Sequence, residues 1–87
     1  MKRTPTLSFP RRWEFRMFVC GEALETTEAE LRTLGAAAGV DFVLTRGESS
    51  AGGKYRTVRA ECEVESLEQA RDLAAKMGDL PGVRFML

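Results

Sequence analysis

Residues 41–65 read DFVLTRGESSAGGKYRTVRAECEVE, and this stretch predicts a β-hairpin. A strand over 41–48 leads into the turn Ser49-Ser50-Ala51-Gly52-Gly53, whose glycines can adopt positive φ at little cost. A longer strand follows over 54–65, in which even positions from Val58 to Val64 are apolar and odd positions are mostly polar. This alternation is typical of a sheet with one buried face and one face in water.

A strand and a helix are predicted before the hairpin. Residues 13–20 alternate between two faces and end at Gly21, with Phe18 on the polar face. Thr27 and Glu30 have the capping-box spacing that begins a helix, and a glycine at C′, here Gly39, is expected to end it. The apolar stripe of this helix is Leu31, Leu34 and Ala38.

A second helix and a last strand are predicted after the hairpin. Ser66 and Gln69 repeat the capping-box spacing, and Gly78 and Pro81 are expected to end the helix. Its apolar stripe is Leu67, Ala70, Leu73, Ala74 and Met77. The inward positions of the last strand are predicted to be Val83, Phe85 and Leu87.

Two interleaved strand–helix–strand halves predict a ferredoxin-like α+β fold, a two-layer sandwich with element order βαββαβ. We expect an antiparallel sheet of order 4-1-3-2 with both helices on one face. Residues 13–87 form a single ferredoxin-like domain in this interpretation. Residues 1–12 are expected to be an extended tail, since Pro5 and Pro10 can neither continue a helix nor donate to a central strand.

Charge suggests how the two central strands align. If paired residues have numbers that sum to 77 or 79, Arg16 lies opposite Glu61 or Glu63. A sum of 75 would place Arg16 opposite Arg59, and we expect that register to be avoided because like charges directly opposite are destabilising.

The composition excludes several functional classes. Thirteen Lys and Arg balance thirteen Asp and Glu, so no net field attracts nucleic acid or an anionic membrane. The sequence has no apolar run of signal-peptide or membrane-spanning length. The two cysteines, Cys20 and Cys62, do not have the CxxC spacing of a redox or zinc motif. These features predict a protein of the cytoplasm.

The residues needed for most enzymatic chemistry are missing. The chain has no histidine, the commonest general base and a common metal ligand. Cys62 is predicted to face the core and Cys20 the polar face, with no cation fixed beside Cys20 and no disulfide between the two. The run Gly52-Gly53-Lys54 does not match a phosphate-binding loop, because Glu48 and Tyr55 occupy positions that need glycine and Ser or Thr. We predict no catalytic residue, no metal and no cofactor.

Anionic ligands are also disfavoured at two places. The open sheet face has carboxylates where an RNA-binding sheet needs stacking aromatics, so nucleic acid is not expected to bind there. Acidic residues surround the entrance of the first helix, and they are expected to oppose a carboxylate or phosphate ligand. These residues are Glu22, Glu25, Glu28 and Glu30.

From Phe9-Pro10 to the end, the sequence resembles the YbeD-like family of small bacterial proteins of unknown function. The matching pieces include Gly21, Ser49-Ser50 followed by Gly53-Lys54-Tyr55, and the terminal segment 83–87. The turn has one residue more than the family's Ser-Ser-x-Gly-x-Tyr pattern, and the first helix and its loop are shorter. The resemblance implies a fold similar to ACT regulatory domains and no known activity.

We therefore predict a non-enzymatic regulatory or interaction module that binds a protein or a small effector. The predicted contact surfaces are the turn and the open sheet face around Phe18, Tyr55 and Met86. One alternative is a structural homodimer through the edge strand 41–48, which carries Val43 and Thr45 outward. An RNA-binding module is a further alternative. The candidate contact residues are Phe18, Ser49, Ser50, Gly53, Lys54 and Tyr55.

Overall fold

Four antiparallel strands form one sheet, and two helices cover one of its faces. The structure is a computed structural model, and it describes residues 8–86. Its elements are β1 (Arg11–Cys20), a 3₁₀ turn (Gly21–Ala23), α1 (Leu24–Ala38), β2 (Val43–Ser49), a second 3₁₀ turn (Ala51–Gly53), β3 (Tyr55–Val64), α2 (Leu67–Gly78) and β4 (Val83–Met86).

The strand order is β2-β3-β1-β4, which is 4-1-3-2 when it is read from the β4 edge. The first and third strands are therefore the central pair, as predicted. β1 begins at Arg11, so the strand includes two residues that we assigned to the N-terminal tail. The predictions for Pro5 and Leu87 concern positions outside the described residues.

The two faces of the sheet are sorted by alternate residues, as the sequence predicts. On β3, Val58, Ala60 and Val64 have no exposed surface, and on β1 the same is true of Met17 and Val19. They pack with the buried faces of the helices in one core cluster. Fully burying a side chain of this size stabilises the fold by about 1.5–3 kcal/mol. The helix residues of the core are Leu31, Ala70, Leu73 and Met77.

The predicted register between β1 and β3 is wrong. Arg16 lies directly opposite Arg59, and all paired residues have numbers that sum to 75. The two guanidinium groups are accommodated by one carboxylate, because Glu14 accepts from Arg16 Nε at 3.1 Å and from Arg59 Nη1 at 3.5 Å. These groups are partly exposed, and ion pairs of this kind contribute too little to determine a register.

Close backbone packing at the end of β1 accounts for the observed register. The N–H of Gly21 donates to the Lys54 carbonyl at 2.9 Å, which continues the same ladder beyond the Cys20–Tyr55 pair. A Cβ atom on Gly21 would collide with the carbonyl oxygen of Gly53. A residue without a side chain is thus needed where the two chain segments meet.

The start of the first helix differs from its prediction. α1 begins at Leu24, after a 3₁₀ turn, and its N-cap residue makes no side-chain cap. Thr27 therefore lies inside the helix, where it is 1% exposed, and it does not form a capping box with Glu30. The Thr27 hydroxyl packs beneath Gly82, because a Cβ atom on that glycine would collide with it.

The other helix boundaries follow their predicted signals. Gly39 ends α1 with a φ of 75°, the left-handed conformation that favours glycine. The Ser66 hydroxyl caps α2 by accepting from the Gln69 N–H at 3.0 Å. The Gln69 side chain in turn accepts from the Glu65 N–H.

An ion pair that the sequence did not predict joins α1 to β2. Both carboxylate oxygens of Glu28 accept from the Arg46 guanidinium, from Nη2 at 2.8 Å and from Nε at 2.9 Å. The hydrogen bonds from Arg46 lower the pKa of the buried Glu28 carboxyl below its ordinary value of 4.5. The Glu28 carboxylate is therefore paired with Arg46 on β2, and its charge is not unpaired at the start of α1.

A bulge in β4 reverses the predicted orientation of its second half. Val83 pairs with Val19 and is buried as predicted, but Phe85 pairs with the adjacent residue Phe18. One extra residue in a strand turns the side chains after it to the opposite face. Phe85, predicted to be inward, is therefore 61% exposed.

Met86 is also on the opposite face from the one predicted. It pairs with Met17 and packs against the core beneath the helices, not on the open face. Its Cγ atom lies 3.6 Å from the position that a Cβ atom on Gly78 would occupy, which places it against the end of α2.

Replacing Gly21 with alanine should lower the free energy of unfolding by about 1–3 kcal/mol, the usual cost of overpacking. The added methyl group would collide with the backbone carbonyl of Gly53, which cannot move aside as a flexible side chain can. Chemical denaturation of the two proteins measures the difference. Gly78→Ala is the matched control, since its methyl group would make an ordinary contact at 3.6 Å. Equal effects of the two substitutions would contradict the role given to Gly21.

Candidate functional site

Two concavities meet at Tyr55, the first residue of β3. The aromatic groove lies on the open sheet face and has a volume of about 390 Å³. The sheet-end cleft lies where β1 ends and β3 and β4 begin, and its volume is about 700 Å³. The groove is lined by Phe18, Glu48, Ser49, Ser50, Tyr55, Thr57 and Phe85. The cleft-lining residues with functional side chains are Cys20, Glu22, Lys54, Tyr55 and Arg84.

The centre of the aromatic groove is a pair of phenylalanine rings. Phe18 and Phe85 pack edge to face, with ring centroids 6.2 Å apart and ring planes at 88°. Such an aromatic pair contributes about 0.5–1.5 kcal/mol beyond the area that it buries. The Phe85 ring therefore packs against Phe18 although most of it is exposed. This gives the open face an apolar projection.

Ser50 closes the turn at the edge of the groove. Its hydroxyl oxygen accepts from the Tyr55 N–H at 3.0 Å, and its own N–H donates to the Tyr55 carbonyl at 2.8 Å. The Ser50 carbonyl accepts from the Gly53 N–H at 2.9 Å. Gly52 and Gly53 have φ of 81° and 70°, as the sequence predicts for a tight turn. The Ser50 side chain therefore serves the fold, whereas Ser49 is exposed beside the groove.

Arg84 connects β4 to the end of β1 within the sheet-end cleft. Its Nε atom donates to the Cys20 sulfur at 3.2 Å, so the prediction that no cation is fixed beside Cys20 is wrong. This hydrogen bond raises the pKa of the Arg84 guanidinium, and the nearby Tyr55 contributes in the same direction. Lys54 also lines the sheet-end cleft, and its Nζ atom lies 5.7 Å from the centroid of the Tyr55 ring.

The structure divides the predicted contact residues between the two concavities. Phe18, Ser49 and Ser50 line the aromatic groove, whereas Gly53 and Lys54 line the sheet-end cleft. Tyr55 lines both. The turn and the open face are hence neighbouring surfaces that share one tyrosine.

Two residues of these surfaces were missed by the sequence analysis, Phe85 and Arg84. Arg84 was not singled out, because its contact with Cys20 joins residues that are distant in the sequence. Phe85 was placed on a strand with simple alternation, and the bulge in β4 turns its ring to the open face. The bulge shows only in the pairing with β1, where Val19 lies opposite Val83 but Phe18 lies opposite Phe85. No turn residue in segment 83–87 indicates this shift.

Cys62 is buried as predicted, and burial raises the pKa of its thiol. Cys20 and Cys62 are both free cysteines. Within residues 8–86, no three His, Cys, Asp or Glu side chains are grouped so that they could hold a metal ion. No helix in this part of the chain is long and apolar enough to cross a membrane.

Sequence comparison assigns the chain to a family. Residues 4–87 match the family model described as "Protein of unknown function (DUF493)". The chain belongs to the DUF493 family. The comparison with curated proteins finds no match for this DUF493 protein.

Solved structures share the fold of this DUF493 protein. One solution structure of protein HP0495 from Helicobacter pylori has a TM-score of 0.79 at 21% identity, covering 98% of this chain and 89% of that one. A second solution structure of HP0495 has a TM-score of 0.68 at 21% identity, with coverages of 100% and 96%. The C-terminal domain of the MgtC protein from Mycobacterium tuberculosis has a TM-score of 0.73 at 13% identity, with coverages of 94% and 89%. At these identities the likeness shows the ferredoxin-like α+β fold alone.

Replacing Ser50 with alanine should lower the free energy of unfolding by about 0.5–1.5 kcal/mol, because the Tyr55 N–H loses its acceptor. Ser49→Ala is the matched control, one residue away and exposed, and it should change stability by less than about 0.5 kcal/mol. Thermal and chemical denaturation measure both variants. If Ser49→Ala were the more destabilising substitution, the closing role of Ser50 would be refuted.

Proposed function

We propose that this DUF493 protein is a non-enzymatic interaction module that binds a partner protein through the aromatic groove. The observation that carries this proposal is the 61% exposure of Phe85, a large apolar ring held edge to face by Phe18. An exposed aromatic ring in a fixed orientation loses little conformational freedom on binding. Aromatic side chains of this kind are enriched at the centres of protein interfaces.

The surroundings of the ring pair support an interface. Ser49 and Thr57 give the groove a polar rim, and the Tyr55 side chain combines an apolar ring with a hydroxyl group. A rim of this kind around an apolar centre is the usual anatomy of a binding surface. Glu48 adds one negative charge to the same rim, which favours a partner surface with a basic residue next to its apolar contact.

Absence of catalysis is part of the proposal. The sequence has no histidine, and among residues 8–86 the only carboxylate that lines the aromatic groove is Glu48. Glu14 on the same sheet face is engaged by Arg16 and Arg59. We further propose that the module acts in the cytoplasm and that its role is regulatory. The likeness in sequence to the YbeD-like family and the ACT-like layout of the fold support this finer proposal by analogy.

A second candidate function is a structural homodimer through β2. β2 pairs with β3 on one side, and Val43 on this strand is 49% exposed. An edge strand with an exposed β-branched side chain can add a strand from another chain. RNA binding is less well supported, because the carboxylates of Glu14, Glu61 and Glu63 face the sheet surface that phosphates would approach.

The functional prediction concerns Phe85. Phe85→Ala should reduce the affinity for a captured partner at least about tenfold, as expected for a central interface residue. It should leave the fold intact, because most of the ring is exposed in the free protein. Tagged protein captures partners from the native host, mass spectrometry identifies them, and titration with the purified partner gives the affinities.

Val43→Lys is the control for this experiment, since it places a charge on the exposed edge and leaves the aromatic groove unchanged. Loss of capture with Val43→Lys and not with Phe85→Ala would refute the groove. Sedimentation of the unsubstituted protein and of Val43→Lys gives their oligomeric states. If the unsubstituted protein were a dimer and Val43→Lys a monomer, the homodimer through β2 would become the favoured function.

A further inference from the structure

The sheet-end cleft carries positive charge that the proposed interaction through the aromatic groove does not use. We propose that this cleft binds the oxyanion of a small ligand, a phosphate or carboxylate group, between Arg84 and Lys54. The inference goes beyond the proposed function, because the cleft lies at the end of the sheet and the groove on its open face.

The Arg84 guanidinium lines the cleft and has its two Nη atoms available to a ligand. Its Nε atom donates to the Cys20 sulfur at 3.2 Å, and this contact fixes the plane of the guanidinium. No hydrogen bond described within residues 8–86 uses the two Nη atoms, so they remain for a ligand. A fixed guanidinium matches the geometry of carboxylate and phosphate oxygens, which accept two parallel hydrogen bonds from it.

Two further donors lie beside the guanidinium. The ammonium group of Lys54 is held near the Tyr55 ring, 5.7 Å from its centroid. The Tyr55 side chain lines the same cleft as Arg84. An ammonium, a guanidinium and a phenol hydroxyl in one cleft form a set of donors suited to an oxyanion.

The backbone leaves room for the ligand. Three of the cleft-lining residues are glycines, Gly52, Gly53 and Gly82, so a ligand can approach the main chain without meeting side chains. The volume of about 700 Å³ is within the range of small-molecule sites. An ion alone would fill little of this space, so the oxyanion is expected to be one group of a larger molecule.

The side chains that line the cleft carry more positive than negative charge. Four acids near the entrance of α1 were expected to oppose an anion, but only Glu22 among them lines the cleft. Glu28 is engaged by Arg46 on β2. Two cations therefore face one carboxylate, which leaves the cleft with a net positive charge.

The test is an NMR titration of the ¹⁵N-labelled full chain with sodium phosphate and, separately, with sodium acetate. The pH is held at 7, and sodium chloride keeps the ionic strength constant. We expect saturable shifts of the amides of Cys20, Lys54 and Arg84. Saturation by phosphate alone, by acetate alone or by both supports the proposal and identifies the oxyanion group.

Four variants show whether the cleft is responsible. Arg84→Gln and Lys54→Gln should each weaken binding about tenfold, the effect of losing one charge-assisted hydrogen bond. Arg32→Gln on the exposed face of α1 is the matched control and should leave the affinity unchanged. Glu22→Gln should tighten binding about two- to threefold, because it removes the opposing charge.

The proposal is overturned if neither anion gives saturable shifts at the cleft. It is also overturned if Arg84→Gln binds as well as Arg32→Gln, or if Glu22→Gln weakens binding. Circular dichroism confirms that each variant is folded. Capture of the protein partner by Arg84→Gln should be unaffected, so the two proposals can fail independently.

Discussion

The backbone contact between the end of β1 and the turn before β3 is the constraint on which the rest of the structure depends. Gly21 lies against the Gly53 carbonyl and donates to Lys54, and the neighbouring Cys20 N–H donates to Gly82 at 2.9 Å. Three chain segments are thereby joined at one end of the sheet. The register of the central pair and the starting point of β4 both follow from this junction.

The bulge in β4 gives the molecule its two candidate surfaces. Because Val83 is buried opposite Val19 while Phe85 pairs with Phe18, one residue between them is extra, and that residue is Arg84. The aromatic ring is turned to the open face, and the guanidinium reaches Cys20. A single irregularity in a four-residue strand thus supplies the apolar centre of the aromatic groove and the fixed cation of the sheet-end cleft.

Local patterns were sufficient to predict the elements and the buried face. Alternation along β3 and the Ser66 cap of α2 depend on residues close together in the sequence, and both are confirmed. The α1 cap at Thr27 was mispredicted because a 3₁₀ turn begins the helix earlier and buries that hydroxyl. The predicted register between β1 and β3 was wrong for a different reason. Surface charges contribute less than backbone packing at a glycine, and the effect of that glycine is visible only when its distant partner is known.

The candidate sites were partly predictable for the same reason. The turn and Phe18 were identified from the sequence, since an exposed loop and the alternation of side chains along a strand are local properties. The position of Phe85 depends on the bulge. The Arg84–Cys20 contact and the Glu28–Arg46 pair each join residues that are distant in the sequence, so the sequence alone does not show that they meet.

The most direct test of this account is the alignment of β1 with β3 in solution. Nuclear Overhauser effects between the Cα protons of opposite residues report that alignment. We expect them for the non-hydrogen-bonded pairs whose numbers sum to 75, such as Arg16 with Arg59 or Phe18 with Thr57. Contacts between residues whose numbers sum to 77, such as Arg16 with Glu61, would contradict the junction at Gly21 and both surfaces that depend on it.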